Sequence, residues 1–140
     1  MAYKLFNLFS SNCGETRNLV SMKQQNIFSS FVNAFNGLRH FFVHERNGRI
    51  QSCAAVVAIC VAAWLHVSAT EWLVLLLCIG AVLCLEMLNS AIEKLCDLVH
   101  KNYHPVIKII KDVAAGAVLL ASVVSVIIAL IIFLPKIMLL

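Results

Sequence analysis

The segment Val113–Leu134 is apolar except for Ser122 and Ser125. As a helix rising about 1.5 Å per residue it reaches roughly 33 Å, enough to cross a hydrocarbon core of about 30 Å. Ile50–Val67 and Trp72–Leu95 are also long and apolar enough to span a bilayer. Because the bilayer core accepts only segments that satisfy their own backbone hydrogen bonds, these segments predict an all-α membrane protein with three transmembrane helices.

Composition supports this class of protein. Hydrophobic residues make up 61% of the 140-residue chain and charged residues 13%, which is too apolar for an ordinary soluble domain. Most Lys and Arg residues precede the first span or lie near the link between the second and third spans, whereas the link His66–Glu71 has none. The positive-inside rule therefore predicts a cytoplasmic N-terminus. The basic residues suit anionic lipid headgroups and phosphates better than nucleic acid.

Residues 26–45 carry an apolar stripe at helical spacing. The stripe consists of Phe28, Phe31, Phe35, Leu38 and Phe42. This spacing predicts an N-terminal amphipathic surface helix in the membrane interface. Glu45 continues the stripe and is therefore predicted to face the other helices. Residues 1–25 show no clear period, so we predict an N-terminal tail, to which we assign no role, followed by one membrane domain over residues 26–140.

Local signals predict where the helices begin and end. The Asn47-Gly48 pair favours a turn that separates the surface helix from the first span. Pro105 suits the first turn of the helix that leads into the third span. Pro135 is predicted to end that helix.

The most informative polar residues follow the second apolar run. Glu86, Asn89, Glu93 and Asp97 lie within about 80° of one another on a helix. A charge at hydrocarbon depth costs about 2.5–3.5 kcal/mol on insertion scales, so a spanning segment rarely carries acids without a function. Glu86 and Glu93 are therefore predicted to be functional, and Glu86 is predicted either to be protonated or to face other protein.

The sequence contains no Walker loop, GxGxxG or GxSxG motif, so phosphate chemistry would require carboxylate-bound metal and basic side chains. Such groups collect near the predicted cytoplasmic interface: Glu45, Glu93, Asp97, Asp112, Arg39, Arg49, Lys108 and Lys111. They suit a magnesium nucleotide, although interfacial anchors and helix caps are an equal alternative for the outer members. A proton- or ion-conducting subunit and a purely structural oligomer are two other functional classes that these residues leave open.

An ordered motif narrows the choice. Glu86-Met-Leu-Asn89-Ser-Ala-Ile-Glu93, with Asp97 four residues later and Lys111-Asp112 further on, resembles the signature of the bacterial integral-membrane diacylglycerol and undecaprenol kinases. The resemblance covers about residues 31–135. It implies a homotrimer in the bacterial inner membrane that transfers phosphate from Mg²⁺-ATP to a lipid hydroxyl at the cytoplasmic interface.

The resemblance also assigns roles to individual residues. It implies that Glu86 is the catalytic base and that Glu45 and Glu93 bind magnesium. It implies an ATP site comprising Glu45, Asn89, Glu93, Asp97, Tyr103, His104, Lys111 and Asp112. It implies contacts with the lipid at Arg39, Arg49, Gln51, Glu86 and Ala115. Gln51 stands where the diacylglycerol kinases have an acid, and Ala115-Gly116 replaces their Gly-Ser, so undecaprenol is favoured over diacylglycerol as acceptor.

Overall fold

The computed structural model describes residues 27–99 and 103–139, and every element in these ranges is helical. The helices are α1 (Ile27–His44), α2 (Arg46–Trp64), α3 (Ala69–Val99) and α4 (Pro105–Met138). The described chain divides into two compact units, residues 27–38 and residues 39 onward. The predicted tail over residues 1–25 lies outside the described residues.

Helices α2, α3 and α4 are each long and apolar enough to cross a membrane, in agreement with the predicted number of spans. Helix α2 ends at Trp64 and not at Val67, and α3 and α4 extend beyond the predicted bounds at both ends. Helix α1 confirms the predicted helix over residues 26–45 to within one residue at each end, and its Phe28, Phe31 and Phe35 are exposed. Within the second unit, α3 packs extensively against α4 and less against α2. Helices α2 and α4 have little direct contact, so a groove backed by α3 lies between them.

The predicted turn at Asn47-Gly48 is wrong, because both residues belong to the first turn of α2. The helical path is interrupted at Glu45 alone, which has an extended backbone and precedes α2 as its N-cap residue. Gly48 is buried against the ring of Phe41, near the end of α1. A side chain at position 48 would occupy the space of that ring, so the glycine serves close helix approach here and not a turn.

The opposite end of the helices carries the main apolar cluster. It consists of Ala62, Leu65, Val67, Leu75 and Ile132. Ser68 and Glu71 form a capping box at the start of α3, in which the Ser68 backbone N–H donates to Glu71 Oε2 at 2.6 Å. Lys136 Nζ lies 3.1 Å from the same carboxylate oxygen and joins the end of α4 to the start of α3.

The prediction that Pro135 ends α4 is wrong, since the helix continues to Met138. Proline removes one backbone donor, a loss that membrane-spanning helices tolerate when their surroundings compensate. The ion pair between Lys136 and Glu71 helps to hold this last turn in place. Pro105, by contrast, occupies the first turn of α4 as predicted.

Candidate active site

The polar residues of α3 become more exposed as the helix proceeds from Glu86. Glu86 and Asn89 are buried, with only 3% and 4% of their surfaces exposed. Glu93 is partly buried and Asp97 is exposed. All four residues lie on one side of α3, and the burial of Glu86 agrees with the alternative that this residue faces other protein.

We call the polar residues from Glu86 to Asp97 on this side of α3 the polar row. Hydrogen bonding in its buried part is incomplete. Asn89 Nδ2 donates to Glu93 Oε1 at 3.1 Å. Asn47, from the first turn of α2, lies close enough to Glu86 for a side-chain hydrogen bond. Glu86 Oε1 and Asn89 Oδ1 are nevertheless buried without a partner among the described residues. Buried acceptors of this kind are rare in native proteins and are expected where a ligand supplies the missing donor.

These groups line a polar cavity of about 330 Å³. Its polar lining residues are Asn47, Gln51, Glu86, Asn89, Glu93 and Ser122. Ala115 and Val118 of α4 contribute to its apolar wall. Of the residues that the sequence predicts for lipid binding, Gln51, Glu86 and Ala115 therefore meet in one cavity. Arg39 and Arg49 are exposed and are not brought into it.

Glu45 reaches α3 through Lys94. The Lys94 ammonium group contacts the Glu45 carboxylate and lies 2.8 Å from His40 Nε2. The hydrogen bond from Lys94 lowers the pKa of Glu45 below its ordinary value of 4.5, and His40 and His44 act in the same direction, while partial burial opposes them. Glu45 and Glu93 both lie within electrostatic range of Glu86. Glu45 therefore faces the bundle, as its place in the apolar stripe predicts.

The water-exposed end of the row is tied to α4. Lys111 Nζ lies 2.5 Å from Asp97 Oδ1, and Lys108 Nζ lies 2.8 Å from Asp112 Oδ2 one turn away. Of the residues predicted for the nucleotide at this end, Asp97 and Lys111 thus pair with each other, and Asp112 pairs with Lys108. Tyr103 is 78% exposed, and His104 precedes α4 as its N-cap residue.

The oxygen atoms of this site suit a hard cation whose remaining ligands are supplied by a nucleotide. In the parts of the chain that the structure describes, no three His, Cys, Asp or Glu side chains are arranged to hold a metal by themselves. Magnesium is commonly held by one or two carboxylates together with substrate phosphates and water. The oxygen ligands near Glu86, including the unpartnered Asn89 Oδ1, fit that chemistry.

Three residues of this region were not predicted from the sequence as site residues. Asn47 was assigned to a turn and Ser122 was treated as an interruption of an apolar span. Lys94 follows Glu93 directly and gave no sign of its contact with Glu45. A helical projection that begins at residue 46 would have placed Asn47 and Gln51 one turn apart on the same face.

Comparison with known proteins gives the family. The sequence pattern of the family described as prokaryotic diacylglycerol kinase matches residues 32–133. The undecaprenol kinase of Bacillus subtilis (strain 168) is 42% identical over 109 residues, which cover 78% of this chain and 89% of that relative.

Two relatives named diacylglycerol kinase are also similar. The protein of Synechocystis sp. is 41% identical over 114 residues, or 81% of this chain and 65% of the relative. The protein of Escherichia coli (strain K12) is 35% identical over 94 residues, or 67% of this chain and 77% of the relative. The matches include the row of polar residues on α3 and the helices that surround it. The chain therefore belongs to the prokaryotic diacylglycerol kinase family of lipid kinases.

Proposed function

We propose that this protein transfers the γ-phosphate of ATP to the hydroxyl group of a membrane lipid, with undecaprenol as the favoured acceptor and diacylglycerol as the other candidate. The observation that carries this proposal is the Glu86 carboxylate, which is buried in a polar cavity with Oε1 unpartnered. A lipid alcohol can donate a hydrogen bond from its hydroxyl group to this unpartnered carboxylate oxygen.

Glu86 is the general base in this proposal. Its carboxylate accepts the proton of the lipid hydroxyl, and the hydroxyl oxygen forms a bond to the γ-phosphorus. The bond from that phosphorus to the bridging oxygen breaks, and its electron pair leaves with ADP. Asn47 holds the Glu86 side chain from α2, while the amide of Asn89 orients Glu93 through a hydrogen bond of 3.1 Å. Such positioning and proton transfer supply much of the catalysis in phosphoryl transfer.

The nucleotide site is proposed at the exposed end of the row. Glu45 and Glu93 would hold Mg²⁺, which would supply charge neutralisation for the phosphates of the nucleotide. Asn89, Asp97, Tyr103, His104, Lys111 and Asp112 complete the proposed nucleotide contacts. The Lys111 ammonium group is already close to the row through its ion pair with Asp97, and it is suited to bind phosphate.

The lipid approaches from the bilayer. Gln51 and Ala115 line the cavity beside Glu86, and Arg39 and Arg49 are exposed cations suited to the phosphates of the surrounding membrane. From the Lys and Arg distribution we propose that the N-terminus and the site are cytoplasmic, and from the family resemblance that the membrane is the bacterial inner membrane, with α1 as an amphipathic surface helix. We also propose the homotrimer that the family resemblance implies, since a single chain leaves Glu93 partly exposed and Asp97 exposed.

The direct test is an assay of the purified full-length protein in detergent with ATP and magnesium. Undecaprenol and diacylglycerol are offered in separate reactions, and phosphorylated lipid is measured. We expect turnover with undecaprenol to exceed turnover with diacylglycerol. Absence of phosphorylated product with both lipids would contradict the proposed reaction.

Glu86→Gln tests the base while preserving side-chain size. We expect turnover to fall about 10²–10⁴-fold, which is the usual contribution of a general base, with ATP binding retained. Glu71→Gln is the matched control, because it makes the same change on α3 near the opposite end of the helices. Wild-type-like turnover of Glu86→Gln would remove this residue from the mechanism.

A proton- or ion-conducting subunit is the less favoured alternative. That function requires ionisable groups through the membrane depth, whereas the run from Trp72 to Leu85 contains no acid. The family assignment also favours the kinase. Ion flux through reconstituted protein in the absence of lipid phosphorylation would support the alternative.

A further inference from the structure

A second cavity lies next to the polar one. It has a volume of about 170 Å³ and lies between α2, α3 and α4. Its lining is almost wholly apolar, and Ala54, Ala55 and Ala58 form the α2 side. Because these three side chains are small, they leave room where larger residues would fill the groove between α2 and α4.

Two serines of α4 line this cavity but differ in their hydrogen bonding. Ser125 Oγ donates to the Ala121 carbonyl oxygen at 2.8 Å, as serines in apolar helices commonly do. Ser122 Oγ is buried and has no partner in the described part of the chain. Ser122 therefore carries an unsatisfied donor and acceptor, which is unfavourable unless a bound molecule satisfies them.

Ser122 also marks the junction of the two cavities. Ser122 and Gln51 line both the apolar cavity and the polar cavity that contains Glu86. A molecule that occupies both cavities must therefore pass these two residues. Such a molecule is polar at the end near Glu86 and hydrocarbon at the end near Ala58.

We propose that Ser122 binds the reacting hydroxyl group of the acceptor and that the apolar cavity binds the hydrocarbon attached directly to it. This inference rests on the proposed function and specifies its substrate class: a single-chain alcohol without ester groups near the hydroxyl. Ser122 donates a hydrogen bond to the hydroxyl oxygen, and the hydroxyl proton points to Glu86 Oε1. The two unpartnered groups thus satisfy the two ends of one O–H group.

The size of the cavity supports this class of acceptor. A dry cavity of about 150 Å³ holds a hydrocarbon as large as benzene, so this one accommodates about one five-carbon isoprene unit. In a diacylglycerol, ester groups lie within a few bonds of the free hydroxyl. The apolar lining would leave the ester carbonyl oxygens without hydrogen bonds, which is unfavourable.

Filling the cavity is the first test. Ala58→Leu should displace about two methylene groups of the lipid, each worth about fourfold in affinity, so KM for undecaprenol or farnesol should rise about fifteenfold. KM for ATP should not change. Ala63→Leu is the matched control, because it makes the same change at an exposed position of α2 outside the cavity.

The hydroxyl of Ser122 is tested against a serine that lies outside both cavities. Ser122→Ala should lower kcat/KM for farnesol about fivefold, the usual effect of losing one neutral hydrogen bond, with KM for ATP unchanged. Ser52→Ala should remain within about twofold of wild type, because Ser52 Oγ donates to the Gly48 carbonyl oxygen and lines neither cavity. Equal effects of the two substitutions would overturn the role of Ser122.

Dioctanoylglycerol distinguishes the acceptor classes. Its KM should change less than about threefold in Ala58→Leu, because the cavity does not hold its ester-bearing end. An equal rise for dioctanoylglycerol and farnesol would overturn the single-chain specificity. If Ala58→Leu changes the oligomeric state with no effect on lipid KM, a helix of a second copy fills the groove and the proposal is wrong.

Photolabelling of the wild-type protein does not depend on activity or on any variant. A diazirine-bearing prenol in detergent micelles should label peptides of α2 and α4 around Ala58 and Ser122, and undecaprenol should suppress this labelling while dioctanoylglycerol does not. Labelling confined to other surfaces would overturn the proposal. Specific labelling of a protein that phosphorylates neither lipid would support the binding site and contradict the kinase function.

Discussion

Gly48→Ala tests whether the close approach of α1 and α2 fixes the position of Glu45. A Cβ atom at position 48 would lie 2.7 Å from Phe41 Cζ and 2.8 Å from Phe41 Cε2. The Phe41 ring is 4% exposed and packs edge-on against Phe42, with ring centroids 5.2 Å apart. Since the ring has little room to move, the added methyl group should push the first turn of α2 away from α1.

Two opposing effects set the change in the free energy of unfolding that Gly48→Ala causes. Alanine gains at most about 1 kcal/mol over glycine in a helix, and less in a first turn. Overpacking a well-packed contact costs about 1–3 kcal/mol. We therefore expect Gly48→Ala to lower the free energy of unfolding by about 0–2 kcal/mol. Gly80 provides the control, because a Cβ atom there meets nothing within 4 Å and should give the helix-propensity gain alone.

Equilibrium unfolding in mixed detergent micelles measures both variants, with lipid kinase activity measured in parallel. Gly48→Ala should also raise the magnesium concentration needed for half-maximal activity, because Glu45 directly precedes the displaced first turn of α2 and moves with it. Phe41→Leu should remove most of the clash, so the double variant should be more stable than the sum of the single effects predicts. If Gly48→Ala stabilises the protein as much as Gly80→Ala does, the ring yields freely and the reasoning is wrong.

Two ion pairs give further predictions. Lys94→Met should raise the pKa of Glu45 toward 4.5, because it removes the hydrogen bond that lowers this pKa. A carboxyl group whose pKa is lowered in the folded state stabilises the fold at pH values above its unfolded-state pKa. This contribution disappears as the pH falls through its lower folded-state pKa. The difference in unfolding midpoint between wild type and Lys94→Met should therefore shrink below pH 4.5; a constant difference would contradict this. The double substitution Asp97→Lys and Lys111→Asp exchanges the two charges of the other ion pair. It should change the free energy of unfolding by less than about 1 kcal/mol, since the pair is largely exposed. It should nevertheless raise KM for ATP. An unchanged KM would remove both residues from the nucleotide site.

The sequence predicts the features that depend on local pattern. Apolar runs locate α2, α3 and α4, because a spanning segment must be apolar over the thickness of the bilayer, although α3 and α4 continue beyond that length. The depth of Glu86 in the membrane predicts that it is protonated or faces other protein, and its 3% exposure agrees with the second alternative. Each of these inferences uses neighbours on a single helix.

Contacts between helices could not be predicted in the same way. The Asn-Gly pair favours a turn, but packing of Phe41 against Gly48 keeps the pair in α2. Lys94 lies beside Glu93 in sequence, yet its long side chain reaches Glu45 at the start of α2. Ser122 and Ser125 both have small or apolar neighbours in the sequence, and only the structure distinguishes them, by the hydrogen bond from Ser125 to Ala121 and by the position of Ser122 at the junction of the two cavities.

Under the proposed function, the gradient of burial along α3 lets one helix bind two substrates of opposite polarity. From Glu86 to Asp97 the helix rises roughly 16 Å, from a buried acid whose Oε1 has no partner among the described residues to an exposed acid paired with Lys111. A buried oxygen without a partner suits a ligand that supplies a hydrogen-bond donor, whereas fixed cations suit a polyphosphate that arrives from water. The lipid hydroxyl would therefore bind at Glu86 and the nucleotide toward Asp97, and the phosphate would move along α3 from the exposed end toward the buried one.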